Sequence, residues 1–127
     1  MRSYVGVTSQ ELESLMQSQH LAISTLYAPT SEFMATHSEL GEEEQEFILS
    51  MLAADESLEL NNGGNGFVIA VEIPENKITA SGADSIEISE PIPLDWVACV
   101  FLVSPDGEDL TWFAIQEVSQ HLPSWRS

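Results

Sequence analysis

Residues 67–73 read FVIAVEI and residues 96–103 read WVACVFLV. Six of the first seven residues and all eight of the second are apolar. Runs of this length, rich in Val and Phe and bounded by turn residues, suit strands buried on both faces. Pro74 closes the first, and Ser104–Pro105–Asp106–Gly107 turns the chain after the second. The two strands are expected at the centre of one sheet, with the other elements arranged around them.

Upstream, residues 3–7 (SYVGV) read as a first strand in which Gly6 marks a close backbone approach. Thr8 stands three residues before Glu11, a capping-box spacing. Leu12, Leu15 and Met16 then follow at i, i+3 and i+4, predicting a helix over 9–18. Residues 21–28 (LAISTLYA) return to strand character. A strand–helix–strand start favours a right-handed parallel crossover, with an antiparallel return left open by the short connection. Pro29 and Thr30–Ser31 open a brief helix over 31–37, with Phe33 and Met34 inward, and Gly41 ends it. The longest helix is expected over 42–60, with Phe47, Ile48, Met51, Leu52 and Leu58 as its inward stripe. The loop NNGGNG (61–66) follows.

Residues 85–89 (SIEIS) alternate and predict an edge strand with Ile86 and Ile88 facing in. Pro91 and Pro93 keep the next segment out of a central ladder. Asp106 is positioned to cap a last helix over 107–121, with Leu110, Phe113, Ala114 and Val118 inward and Pro123 closing it. The fold class is thus α/β or α+β. Residues 1–127 form one layer-type domain, a mixed sheet of four to five strands covered by amphipathic helices.

The chain has 127 residues, 21 Asp+Glu against 3 Lys+Arg, and a formal net charge of −18. Charged residues are 19% of the chain, below the usual figure of about 25%, so the imbalance comes from a shortage of bases. Only Arg2, Lys77 and Arg126 are basic. Direct binding to nucleic acid or to an anionic membrane needs basic patches to neutralise phosphate, and this chain has none. A basic protein partner fits the charge. No apolar run approaches the roughly 18 residues of a spanning helix. The first residues hold no apolar core, so no signal peptide is expected. The single Cys99 cannot form an internal disulfide, which suits a reducing cytoplasm.

No motif assigns a reaction. NNGGNG precedes a strand instead of opening a helix and has no following Lys or Thr, so it is a connection and not a phosphate loop. His20, His37 and His121 are scattered, and His37 with Glu39 and the 42–46 acids lacks metal-ligand spacing. Cys99 lies in an apolar strand, where a thiol behaves as a small hydrophobe. No cofactor, metal or catalytic residue is expected. The candidates that remain are for binding. Glu42, Glu43 and Glu46 lie in the densest acidic block, which is either a solvated face or a surface for a basic partner. Trp112 falls off the inward stripe of the expected last helix, so it is either exposed or closes a sheet edge. Trp125, in the tail, is either an exposed anchor or folded back on the sheet.

Four segments carry a resemblance: MRSYVGVTSQELESL (1–15), EEEQEFILSMLAADESLEL (42–60), FVIAVEIPENKI (67–78) and ISEPIPLDWVACVFLV (88–103). Together they resemble a family of small uncharacterised actinobacterial proteins with no established activity. The resemblance implies an architecture and a bacterial cytoplasmic home, and no residue roles. The leading expectation is a non-enzymatic interaction or regulatory module with an acidic surface. The alternative is an enzyme or small-ligand protein, which would show a cleft where His or Cys converges with carboxylates.

Overall fold

The computed structural model describes residues 1–62 and 64–125. Gly63 of the glycine-rich loop and Arg126 of the tail lie outside the described residues. In chain order the elements are β1 (Arg2–Val7), α1 (Ser9–Ser18), β2 (His20–Leu21), β3 (Thr25–Tyr27), α2 (Ser31–Thr36) and α3 (Glu42–Leu60). Then come β4 (Gly66–Glu72), β5 (Ile78–Ser81), β6 (Ser85–Ile88), β7 (Ile92–Pro93), β8 (Val97–Val103), β9 (Leu110–Ala114) and α4 (Ile115–Trp125). Seven strands form one sheet in the order β5-β6-β3-β1-β4-β8-β9, and β2 pairs with β7 in a separate ribbon. Every pairing is antiparallel. The class is α+β, and the sheet is larger than the four to five strands expected.

The side chains of β4 alternate between two cores, which explains its unbroken apolar run. Phe67, Ile69 and Val71 join Leu12 and Leu15 of α1 and Val118 and Leu122 of α4 on one face. Val68 and Ala70 join Leu49, Ala53 and Ala54 of α3 and Phe33 of α2 on the other. Helices therefore cover both faces of the sheet. Val68, Ile69, Val71 and Val100 are fully buried, while Leu102 is only partly so.

Local chemistry sets several boundaries. Thr8 Oγ1 accepts from Glu11 N at 3.0 Å, and Thr8 N donates to Glu11 Oε1 at 2.9 Å, so the capping box forms and α1 begins where expected. Gln19, at φ 65°, turns the chain after α1. The expected strand over 21–28 then splits. Its first part leaves to pair with Ile92–Pro93, and Tyr27 of its second part pairs with Tyr4 in the antiparallel sense. The parallel crossover is thereby replaced by an antiparallel return. β6 sits one strand in from the edge, because Ile78–Ser81 pair outside it.

Two further expectations are corrected. The first is the buried face of α3, which is made of Gln45, Leu49, Ser50, Ala53, Ala54 and Ser57. Phe47 is 63% exposed, and Ile48, Met51, Leu52 and Leu58 are only partly buried. The helix comes down on β1 at Gly6, where small side chains are the ones that fit. Gly6 N donates to Glu56 Oε1 at 2.9 Å, giving a strand N–H a partner from the helix above. Burial pushes the Glu56 carboxyl up, the Gly6 N–H holds part of that rise back, and Glu11 and Glu59 add to it.

The second correction concerns residues 107–121. Residues 110–114 are a strand, with α4 following and Pro123 inside it. Gly107, at φ 77°, closes the turn. Asp106 accepts from Ser104 Oγ and from Glu108 N, so it caps the turn and not a helix. These bonds hold its carboxyl below the usual range.

Candidate functional site

α3 packs mainly over β1 and β4, which leaves the same face of β8 and β9 largely open. The result is a cleft of about 740 Å³ between α3 and the β8–β9 hairpin. One wall is a single face of α3: Glu43, Glu46, Phe47, Ser50 and Met51, spaced at i, i+3, i+4, i+7 and i+8. Phe47 and Met51, expected in the core, line this cleft instead. The facing wall is Phe101 with Gly107, Glu108, Asp109 and Leu110, and Tyr4 is the remaining lining residue. The lining thus combines an apolar surface with four carboxylates, and among the described residues no Lys, Arg or His takes part in it.

Trp112 lies directly across from Phe101 in the β8–β9 pairing and so projects from the same sheet face. It is 57% exposed. Glu42 belongs to a separate hollow of about 480 Å³ with Met1, Arg2, Met34 and Gln45, and Glu46 borders both. In that hollow Arg2 is held by Glu72, Nε to Oε1 at 2.7 Å. Trp125 takes the folded-back alternative. Its ring packs on Phe113 at 5.0 Å and Phe67 at 5.5 Å and stacks on His121 at 5.5 Å, on the opposite face of the sheet. The structure therefore places Glu43 and Glu46 on the cleft, Trp112 on the same face of the sheet outside its lining, Glu42 in the adjoining hollow and Trp125 on the opposite face.

Sequence reasoning missed Tyr4, Phe101, Glu108 and Asp109. The one local signal was Tyr4, whose ring suits a buried strand while its hydroxyl needs an exit for its polar end. Tyr4 is pushed up to about 12 by burial first, then by the Glu46 carboxylate. Glu108 and Asp109 fall where the sequence reads a helix, and Phe101, in a strand read correctly, forms a wall only with the hairpin that β9 completes.

The groups that could do chemistry lie apart. His37 packs on Phe33 at 4.5 Å, His121 on Phe113 at 4.8 Å, and His20 Nδ1 lies 3.1 Å from Ser18 O. Among the described residues, no group of three or more His, Cys, Asp or Glu is placed to hold a metal ion. No helix among them is long and apolar enough to cross a membrane.

Cys99 is 5% exposed. Burial pushes its thiol up, while Trp112 and the Arg2 guanidinium hold part of the rise back. A cation is therefore near, contrary to a purely apolar strand, yet burial dominates. Cys99 is expected to react slowly with a thiol reagent in the native protein and rapidly in denaturant. Fast native labelling would overturn its placement.

The fold and the cleft define an α+β protein that presents an acid-rimmed apolar surface between its longest helix and its last hairpin. The chain belongs to the family of unknown function DUF6912, whose family model matches residues 1–109. The match ends in the turn before β9, so β9 and α4, with Trp112 and Trp125, lie beyond it. No match was found among curated proteins or solved structures.

Proposed function

We propose that the protein is a non-enzymatic interaction module that holds a basic protein partner against the α3–β9 face. The observation that carries this reading is the cleft itself, an apolar surface rimmed by Glu43, Glu46, Glu108 and Asp109. An apolar floor supplies affinity by releasing water, and a rim of one sign selects partners of the other. The net charge of −18 extends the same field and repels nucleic acid and anionic membranes. Trp112 and Phe47 add exposed aromatic area beside the rim, the kind of side chain that anchors interfaces. A bacterial cytoplasmic home suits the single buried thiol and the resemblance of the sequence.

The test is kinetic. A partner recovered by affinity capture at low salt is measured against the native protein and a Glu42→Gln/Glu43→Gln/Glu46→Gln variant. The on-rate of the variant is expected to fall about tenfold at low salt. The difference should shrink as salt rises, because exposed charges are screened beyond about 8 Å at physiological ionic strength. Most of the loss is expected from Glu43 and Glu46, which line the cleft. An on-rate indifferent to both salt and the triple change would make the acidic block a solvated face.

A further inference from the structure

Tyr4 is 7% exposed, and its hydroxyl makes no hydrogen bond with any described residue. Among those residues no buried side-chain nitrogen or oxygen lacks a partner. The Tyr4 oxygen must therefore meet the space of the cleft it lines. A tyrosine more than nine-tenths buried thus keeps its polar end open on the cleft, with no hydrogen bond from any described residue to satisfy it. Glu46, whose charge acts on Tyr4, and Glu43 stand one helical turn apart on the face of α3 that lines the cleft. Phe47 and Phe101 line opposite walls.

We propose that this cleft is the receptor for an arginine side chain of the basic partner, its guanidinium lying between the aromatic walls, donating to the Tyr4 hydroxyl oxygen and to the Glu43 and Glu46 carboxylates. This rests on the reading of the protein as a module for a basic partner. Arginine fits the lining better than lysine for three reasons. Its planar group stacks on aromatic faces, it presents five N–H donors in a fixed fork, and it is weakly hydrated enough to enter an apolar cleft. Lysine would leave a compact, strongly hydrated charge against Phe47, Phe101 and Met51. The Tyr4 hydroxyl accepts from the guanidinium and can donate to a carboxylate, so both of its functions are used. Glu108 and Asp109 on the hairpin supply the charge of the opposite rim.

The probes are acetylated, amidated peptides of sequence Gly-Leu-Arg-Leu-Gly, with lysine or citrulline in place of the arginine, titrated against the full chain and followed by NMR shifts and Trp112 emission. The arginine peptide is expected to bind about tenfold more tightly than the neutral citrulline peptide, and more tightly than the lysine peptide. Tyr4→Phe keeps the ring and removes only the unpartnered hydroxyl. It should weaken the arginine peptide about tenfold while leaving thermal stability unchanged, which a purely structural role for Tyr4 does not explain. Glu43→Gln should weaken it as well, and binding should ignore Trp125→Phe. Equal binding of arginine and lysine peptides with no effect of Tyr4→Phe would overturn the arginine receptor and leave the acidic docking face standing. No binding of the arginine peptide, or binding of free spermidine as tight as that of the peptide, would also overturn it. The wider reading fails separately, through the on-rate test with the triple glutamine variant.

Discussion

Replacing Val100 with aspartate is expected to leave the chain unfolded. Val100 is fully buried in the middle of β8, paired with Ile69 on one side and Phe113 on the other. Its side chain joins the core formed with α1 and α4. Among the described residues no Lys or Arg lies in that core to pair with a carboxylate. Arg2 is engaged by Glu72 at 2.7 Å and Lys77 by Glu90 at 2.8 Å, and neither lies in that core. Burying an ion without a partner costs several kcal/mol even after relaxation. A domain of this kind has a total margin of about 5–15 kcal/mol. Self-repulsion at −18 reduces that margin further. The control is Val100→Ala, which removes two buried methyl groups and should cost about 2 kcal/mol while leaving a cooperative transition. Circular dichroism at neutral pH separates the two. A cooperative melt of Val100→Asp close to that of the native chain would place residue 100 at the surface and undo the two-core description.

What the sequence revealed and what it hid divide along the range of the interactions involved. The bounds of α1 follow from Thr8 and Glu11, three residues apart, and those of α3 from a long run without breakers. The apolar run at 67–73 announces a central strand because burial on both faces leaves no alternation to misread, and the run at 96–103 reads the same way although one face of β8 is only partly covered. The face of α3 was a different matter. A reading by bulk picks Phe47 and Met51 as core, whereas a helix seated on a glycine buries Ala53, Ala54 and Ser57 and turns its bulk aside. Residues 110–114 were ambiguous for another reason. Leu110, Phe113, Ala114 and Val118 satisfy helical spacing, while Leu110, Trp112 and Ala114 satisfy strand spacing equally well. The deciding interaction is the cross-strand ladder from Cys99–Ala114 to Val103–Leu110, which the spacing within 110–114 does not reveal. The candidate site inherited both errors. Its acidic rim on α3 was legible as a cluster of Glu, but the cleft exists only once Phe47 faces outward and the hairpin supplies the second wall.

The seat of α3 on β1 carries the other large effect. Gly6→Ala is expected to destabilise the domain by about 3 kcal/mol or more, from overpacking together with a weakened charge-assisted hydrogen bond. A Cβ on residue 6 would stand 2.6 Å from Ala53 O, 2.7 Å from Ser57 N and 2.9 Å from Ser57 Cβ. The first two are backbone atoms of a helix, so no rotamer change relieves them. The helix has to lift, which strains the Gly6 N–Glu56 bond and opens the core around Leu49 and Ala53. Gly66 offers an internal comparison. A Cβ there meets chiefly Ser57 Oγ, with Leu58 Cδ2 and Ser57 Cβ next at 3.2 Å, all side-chain atoms. Trimming the serine should therefore rescue one substitution and not the other. In a double-mutant cycle on the Ser57→Gly background, Gly66→Ala is expected to become nearly neutral. Gly6→Ala should keep most of its cost, because only the third of its close contacts is removed. Denaturant midpoints read by circular dichroism give both couplings. A Gly6→Ala midpoint equal to that of the native chain would mean that α3 sits farther from β1 than these distances allow. The cleft, whose helical wall is fixed by that seat, would then have a different width.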